Sequence, residues 1–162
     1  MKKTIIGVIG PAAGATDKDM DNAFRLGRLI ANEGWALLTG GRNAGVMDSA
    51  GRGAKQANGL TIGILPTTET GSISGSVDLP VITDMHNARN NIIVLTSNVL
   101  VACGMGAGTA SEIALAIKAN KAVIMLGGGR EGKAFFKKLG GDKVIIAENT
   151  RDAIEIVRQM VK

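Results

Sequence analysis

Two glycine-rich stretches and the charged residues that accompany them are the parts of this sequence able to do chemistry. The first reads TGGRNAG from Thr39 and the second GMGAGT from Gly104; the pair Arg89-Asn90 stands between them, with Arg89 lying 23 residues ahead of Glu112. GPAAGA from Gly10 and GGGREG from Gly127 have the same make-up. Each stretch lies between an apolar run and a helical pattern. A helix N-terminus offers N–H groups with no partner inside the helix and the positive end of its dipole, and glycine lets backbone approach an oxyanion closely. Several such ends converging would make an anion cradle out of main-chain amides.

Other chemistries find fewer residues. No G-x-G-x-x-G or Walker lysine loop is met, since Gly7-Val8-Ile9-Gly10-Pro11 lacks the spacing and no Gly-Lys-Ser/Thr follows any loop. His86 is the single histidine and has no recognisable Ser/Asp companion motif, which leaves serine nucleophiles without a case. One histidine and one cysteine cannot build a His/Cys zinc site within one chain, so no metal ligands are expected. Cys103 has no internal disulfide partner, and its apolar neighbours mark it as a small core residue in a cytoplasmic protein. Arg42 and Arg89 read singly as solvated charges or as ligand clamps. Glu112 also has two readings. In Thr109-Ala110-Ser111-Glu112 it completes a capping box in the first turn of a helix, and beside an anion it would form a pocket wall.

These loops need a scaffold, and the apolar pattern supplies one. Short apolar runs alternate with helical periodicity along all 162 residues, which predicts a single α/β domain: a Rossmann-like three-layer sandwich around a mainly parallel sheet of about seven strands. Strands are expected near Thr4 to Ile9, Trp35 to Thr39, Thr61 to Leu65, Leu79 to Thr83, Val99 to Cys103, Ala122 to Leu126 and Lys143 to Ala147. One helix opens at Thr16 and stops at Gly34, with Met20, Ala23, Phe24, Gly27 and Ala31 on one face; a second carries Val46, Met47, Ala50, Ala54 and Ala57 and ends at Gly59. Met85, Ala88, Ile92 and Leu95 mark a third helix, and Ala153, Ile156, Val157 and Met160 the terminal one. Pro66 to Pro80 is the one long irregular segment, read either as a surface loop near the site or as a plain connector.

Composition narrows the partners. The opening MKKTIIGVIGPAAGA imitates a signal peptide, but its apolar part is short and Gly10-Pro11 cuts it off, so a first β-strand is the better reading. No apolar run approaches the roughly 20 residues of a membrane helix. A formal charge of +5 favours anionic partners, yet aromatics are only 2% and the basic residues are dispersed. That combination points to a small anion such as a phosphate or nucleotide, and away from nucleic acid.

The two signatures, TGGRNAGVM and GMGAGTASE, with Arg89 ahead of Glu112, resemble those of the nucleotide-binding family once mislabelled lysine decarboxylases. That family includes the LOG (Lonely Guy) phosphoribohydrolases, which cleave nucleoside 5′-monophosphates to base and ribose 5-phosphate. Their signatures read GGGxxGLMG and PGGxGTxxE, and the family arginine and glutamate fall on Arg89 and Glu112, the catalytic pair if the chain is such a hydrolase. Here the family lysine is replaced by Asn90, the Pro-Gly by Gly104-Met105 and the third glycine by Arg42. With these changes the chain resembles the molybdenum cofactor carrier branch of the superfamily over nearly its full length, through GVIGP, GWALLTGGRNAGVMDSA and ARNNIIVLTSNVLVACGMGAGTASEIALA. The resemblance implies a non-catalytic protein whose cargo is molybdenum cofactor (molybdopterin), delivered to recipient molybdoenzymes. It implies backbone contacts to the anionic groups from Gly10, Thr39, Gly40, Gly41, Gly106, Ala107, Gly108 and Thr109, with Arg42 assisting and Arg89, Asn90 and Glu112 lining the cleft. It also implies a homodimer or homotetramer, for which the Met85, Ala88, Ile92 and Leu95 face is either interface or core.

Overall fold

A computed structural model describes residues 3–161, so Met1 and Lys2 of the signal-peptide-like opening lie outside the described residues. Seven strands form one sheet: β1 (Ile5–Ile9), β2 (Ala36–Thr39), β3 (Thr61–Leu65), β4 (Leu79–Ile82), β5 (Val99–Ala102), β6 (Val123–Met125) and β7 (Val144–Ile146). Their order is β4-β3-β2-β1-β5-β6-β7 and every pairing is parallel. Between them run α1 (Asp17–Asn32), α2 (Gly45–Gln56), α3 (Asn90–Thr96), α4 (Ala107–Lys118), α5 (Gly129–Gly140) and α6 (Thr150–Met160).

Alternation along the strands builds two cores. Ile6, Val8, Val99 and Val101 point to one face, where Leu26 and Ile30 of α1, Ala50 and Ala54 of α2, and Ile154 and Val157 of α6 cover them. Ile9, Leu100 and Ala102 point to the other, under Ile93 and Val94 of α3, Ile113 and Ala116 of α4 and Phe136 of α5. The result is the three-layer sandwich expected from the apolar pattern. α1 and α2 meet backbone to backbone, since a Cβ placed on Gly27 would stand 1.9 Å from the Ala50 carbonyl oxygen, and one on Gly53 at 1.9 Å from that of Phe24. These two helices follow β1 and β2, so their contact fixes the loops at Gly10 and Gly40.

The sheet reverses its direction of growth between β1 and β5. β1 leads outward to β2, β3 and β4 on one side, and β5 starts the run to β6 and β7 on the other. Loops leaving adjacent strands there move apart and open a crevice at the carboxyl ends, the usual ligand position in such sheets.

Three expectations need correction. α4 starts at Ala107 behind an extended Gly106 cap (φ −157°, ψ 172°) that supplies no side-chain hydrogen bond, so Thr109 is inside the helix and Glu112 lies beyond its first turn. The capping box is therefore not formed. The third helix is a 3-10 turn (His86–Arg89) running into α3, and its buried residues are Arg89, Ile93 and Val94; Met85, Ala88 and Leu95 face outward. In α6 the buried residues are Thr150, Ala153, Ile154 and Val157, with Met160 39% exposed. The segment from Pro66 to Pro80 is no free connector. It is pinned to the Gly41–Asn43 turn by Ser74 N–H to Gly41 O (2.9 Å), Asn43 N–H to Ser72 O (2.8 Å) and an antiparallel bridge between Arg42 and Ile73.

Candidate functional site

A cleft of about 250 Å³ sits at that reversal, over the ends of β1, β2 and β5. The β1 loop contributes Gly10, Pro11, Ala12 and Ala13; the β2 loop contributes Gly40 and Arg42; the turn before α3 contributes Asn87, Arg89 and Asn90. The mouth of α4 contributes Gly106, Ala107, Gly108, Thr109 and Glu112. Thr39 and Gly41, expected at the site, stand behind it. Gly41 has φ +71° and donates its N–H to Thr39 Oγ1 at 3.0 Å, so this amide and hydroxyl serve the turn. Asn87 and Met47 line the cleft without having been expected there from the sequence, and Pro11 to Ala13 do so from within the GPAAGA loop. Asn87 sits two residues before Arg89, so the Arg89-Asn90 pair was the only cue to it.

The glycines divide by purpose. A Cβ on Gly10 would lie 2.4 Å from the Cys103 carbonyl oxygen, and one on Gly40 would lie 2.6 Å from both Arg89 Nη1 and Met47 Sδ, so these two serve close packing. Around Gly108 no atom comes within 4 Å of an added Cβ. Its missing side chain leaves open space in the cleft itself.

The α4 mouth presents donors without partners. The N–H groups of Ala107, Gly108 and Thr109 precede the first backbone bond of the helix, Ala110 N–H to Gly106 O at 2.8 Å, and no side chain caps them. Thr109 Oγ1 is buried and has no hydrogen-bond partner among the described residues, although the residue is only 2% exposed. A buried hydroxyl left unpaired costs about 1–3 kcal/mol, and a ligand oxygen in the cleft would relieve it. Asn90 Nδ2 donates to Ser111 Oγ (3.2 Å), which donates to Gly108 O (2.7 Å), tying the start of α3 to this turn.

Arg89 and Glu112 are both buried against the cleft and make no ion pair at contact distance among the described residues. The Arg89 guanidinium instead donates to Gly40 O at 2.6 Å and to Ile64 O, bracing the ends of β2 and β3. Burial lowers its pKa, the field of Glu112 opposes that, and Arg42 adds to it. Burial pushes the Glu112 carboxyl up to about 7 in spite of the nearby Arg89 charge. Arg42 is exposed and has no ion pair among the described residues, which leaves its charge available to the cleft. Cys103 is fully buried; burial, then Asp19, drive its thiol pKa upward, so the thiol stays protonated. Among the described residues no group of three or more His, Cys, Asp or Glu is placed to hold a metal ion.

Residues 3–154 match the profile of the SLOG cluster4 family. The chain belongs to that family. Its fold superposes with a TM-score of 0.98 on the molybdenum cofactor binding protein of Rippkaea orientalis, at 51% identity over 100% of this chain and 99% of that one. It superposes at 0.93 on the molybdenum cofactor carrier protein of Chlamydomonas reinhardtii, at 49% identity over 98% and 99%. The cytokinin riboside 5′-monophosphate phosphoribohydrolase of Rhodococcoides fascians is 28% identical over 114 residues, 68% of this chain and 57% of the enzyme. As a member of the SLOG cluster4 family, the chain combines that fold with a cleft lined by Gly10, Gly40, Gly106 and Gly108 together with Arg42, Arg89, Asn90 and Glu112.

Proposed function

We propose that this protein is a non-catalytic carrier that holds molybdenum cofactor as cargo in the cleft at the α4 mouth and passes it to recipient molybdoenzymes. The observation that carries this reading is the identity of about half of all residues, over the whole length, with two proteins of that cargo. The cleft fits the cargo's chemistry. Its phosphate and oxo-metal head are anionic, and the amides of Gly106, Ala107, Gly108 and Thr109, the unpaired Thr109 hydroxyl and Arg42 offer donors to anions. Gly40, Asn90, Arg89 and Glu112 form the remaining wall. With no imidazole lining the cleft and the one thiol buried and protonated, the protein's part is to shield the metal end.

The same proposal takes residues 1–162 as one domain acting in the cytoplasm as a homodimer or homotetramer. No helix among the described residues is long and apolar enough to cross a membrane. Metal and mass analysis of the protein as purified should find molybdenum and pterin phosphate, and loaded protein should restore a cofactor-free molybdoenzyme. Protein that neither retains cofactor nor slows its decay removes the reading.

One observation favours a second reading, cleavage of nucleoside 5′-monophosphates: a buried carboxyl titrating near 7 beside an arginine is suited to general acid–base work. Incubation with AMP at high protein concentration decides it. Ribose 5-phosphate release, lost in Glu112→Ala, would make the protein a hydrolase; no release leaves the carrier.

A further inference from the structure

A second crevice, of about 650 Å³, opens farther along the same edge of the sheet, and it shares no residue with the first. It lies beyond the ends of β6 and β7, between the first turns of α1 and the length of α5. Four cations line it: Lys18, Arg130, Lys133 and Lys137. Arg25, Arg52, Lys55 and Arg158 each have a carboxylate within 3.1 Å, while Arg28, Arg42 and Lys118 have no ion pair among the described residues. What distinguishes the crevice is that its cations are gathered in one place. Lys18, Arg130 and Lys133 have no ion pair or side-chain hydrogen bond among the described residues, and Lys137 Nζ is held by the carbonyls of Gly141 (3.0 Å) and Val144 (2.8 Å), which leave its charge intact. The one carboxylate in the lining, Asp19, is engaged in capping α1 through Thr16 N–H at 3.1 Å.

The layout of these groups selects a ligand class. Arg130 and Lys133 stand one turn apart on one side of α5, about 4.5 Å along the helix axis, and Lys18 joins them from the first turn of α1. A row of cations suits a chain of phosphates better than a single one. Leu126, Ala134 and Ile146 line the same crevice, and Ile146 is left 38% exposed at the end of β7. An apolar surface beside a row of cations fits a ligand with a flat ring at one end and a polyanion at the other. The uncapped start of α5, after Gly128 in the left-handed region, adds amides on the same side.

We propose that this crevice is a second ligand site, taking a nucleoside di- or triphosphate with its phosphates along Arg130, Lys133 and Lys18 and its base on Leu126 and Ile146. The site stands whether or not the first cleft carries molybdenum cofactor.

Calorimetry with ATP on the full chain tests it, using one variant per pocket. Gly108→Asp sets a carboxylate in the open space of the first cleft. The pair Arg130→Glu/Lys133→Glu reverses the row, and acidic residues near a helix N-terminus do not weaken the helix. ATP affinity is expected to stay within about twofold in Gly108→Asp. It is expected to fall at least tenfold in the reversed pair, whose melting temperature and sulfate binding at the first cleft are unchanged. Inorganic triphosphate should bind at least fivefold more weakly than ATP, because it has no ring to cover Ile146. Loss of ATP binding in Gly108→Asp with retention in the reversed pair would place the nucleotide in the first cleft and overturn the proposal. Absence of binding at millimolar ATP, or equal affinity for ATP and inorganic triphosphate, overturns it as well.

Discussion

Glu112 and Thr109 line the cleft from one helix, one turn apart. The Glu112 carboxyl is raised from 4.5 to about 7, so the folded protein holds that proton more firmly than the unfolded chain does. Stability from this group is therefore complete below about pH 4.5 and is lost as pH rises to about 7, beyond which the penalty is constant at no more than about 3 kcal/mol. Glu112→Gln is expected to raise the melting temperature at pH 8 and to leave it nearly unchanged at pH 4. Anion binding follows the same proton. Sulfate keeps its charge across this range, so its affinity for the wild type should fall with pH above 7, by up to about tenfold per pH unit if binding requires the neutral acid. In Glu112→Gln the profile should be flat. Equal slopes in the two proteins would mean that Glu112 does not sense the anion. At Thr109 the substitution is Thr109→Val, which keeps the shape and removes a hydroxyl that has no partner. The free protein should be as stable or more so, while sulfate binds about 1 kcal/mol more weakly, the scale of a lost hydrogen bond. Weaker binding without any loss of stability is the combination that marks a hydroxyl kept for a ligand.

At the scale of elements, α1 and α2 are in close contact where Gly27 and Gly53 let two helix backbones touch, and the loops that lead into them carry Gly10 and Gly40 of the cleft. Gly27→Ala or Gly53→Ala would drive a methyl into a carbonyl at 1.9 Å, so the helices must separate; overpacking of this kind costs about 1–3 kcal/mol. Thermal melts should show that loss in either variant, together with weaker sulfate binding, because the Gly10 and Gly40 loops lead into these helices. Stable variants with intact binding would detach the contact from the site. The elements also show what a sequence makes legible. Thr16 caps α1 with its own side chain and pairs with Asp19, and such a start can be read from residue types. α4 begins instead on the bare backbone of Gly106, and Thr109-x-x-Glu112, which looks like a capping box, lies inside the helix. Nothing in the side chains marks an extended glycine as the cap, so the expected start fell three residues late. The glycine loops were legible as a group because all leave strand ends on one edge of a parallel sheet. That Gly41 turns its N–H to Thr39, away from the cleft, depends on a positive φ that glycine permits but does not announce.

At the scale of the molecule, one side is unfinished. β4 is one of the two edges of the sheet, opposite β7, and all four of its residues are exposed, with Leu79 at 50%, Val81 at 43% and Ile82 at 49%. Met85 (46%) and Leu95 (53%), from the segment that follows, extend the apolar character to α3. Pro80 removes one edge donor, which discourages strand addition. Side-chain packing against a second copy remains open to this face, and it is the face we propose for association. Leu95→Glu with Met85→Glu is expected to convert the proposed oligomer to monomer in sedimentation velocity, without unfolding it, because exposed substitutions usually change stability by no more than about 0.5 kcal/mol. The cleft should notice. Asn87, Arg89 and Asn90 belong to the segment between these two apolar residues, and α3 is only 7 residues long, so it depends on its surroundings for order. Sulfate affinity is therefore expected to fall in the monomeric variant even though neither substituted residue lines the cleft. A wild type that sediments as a monomer removes the association, and a monomeric variant with unchanged affinity would show that this face and the cleft are independent.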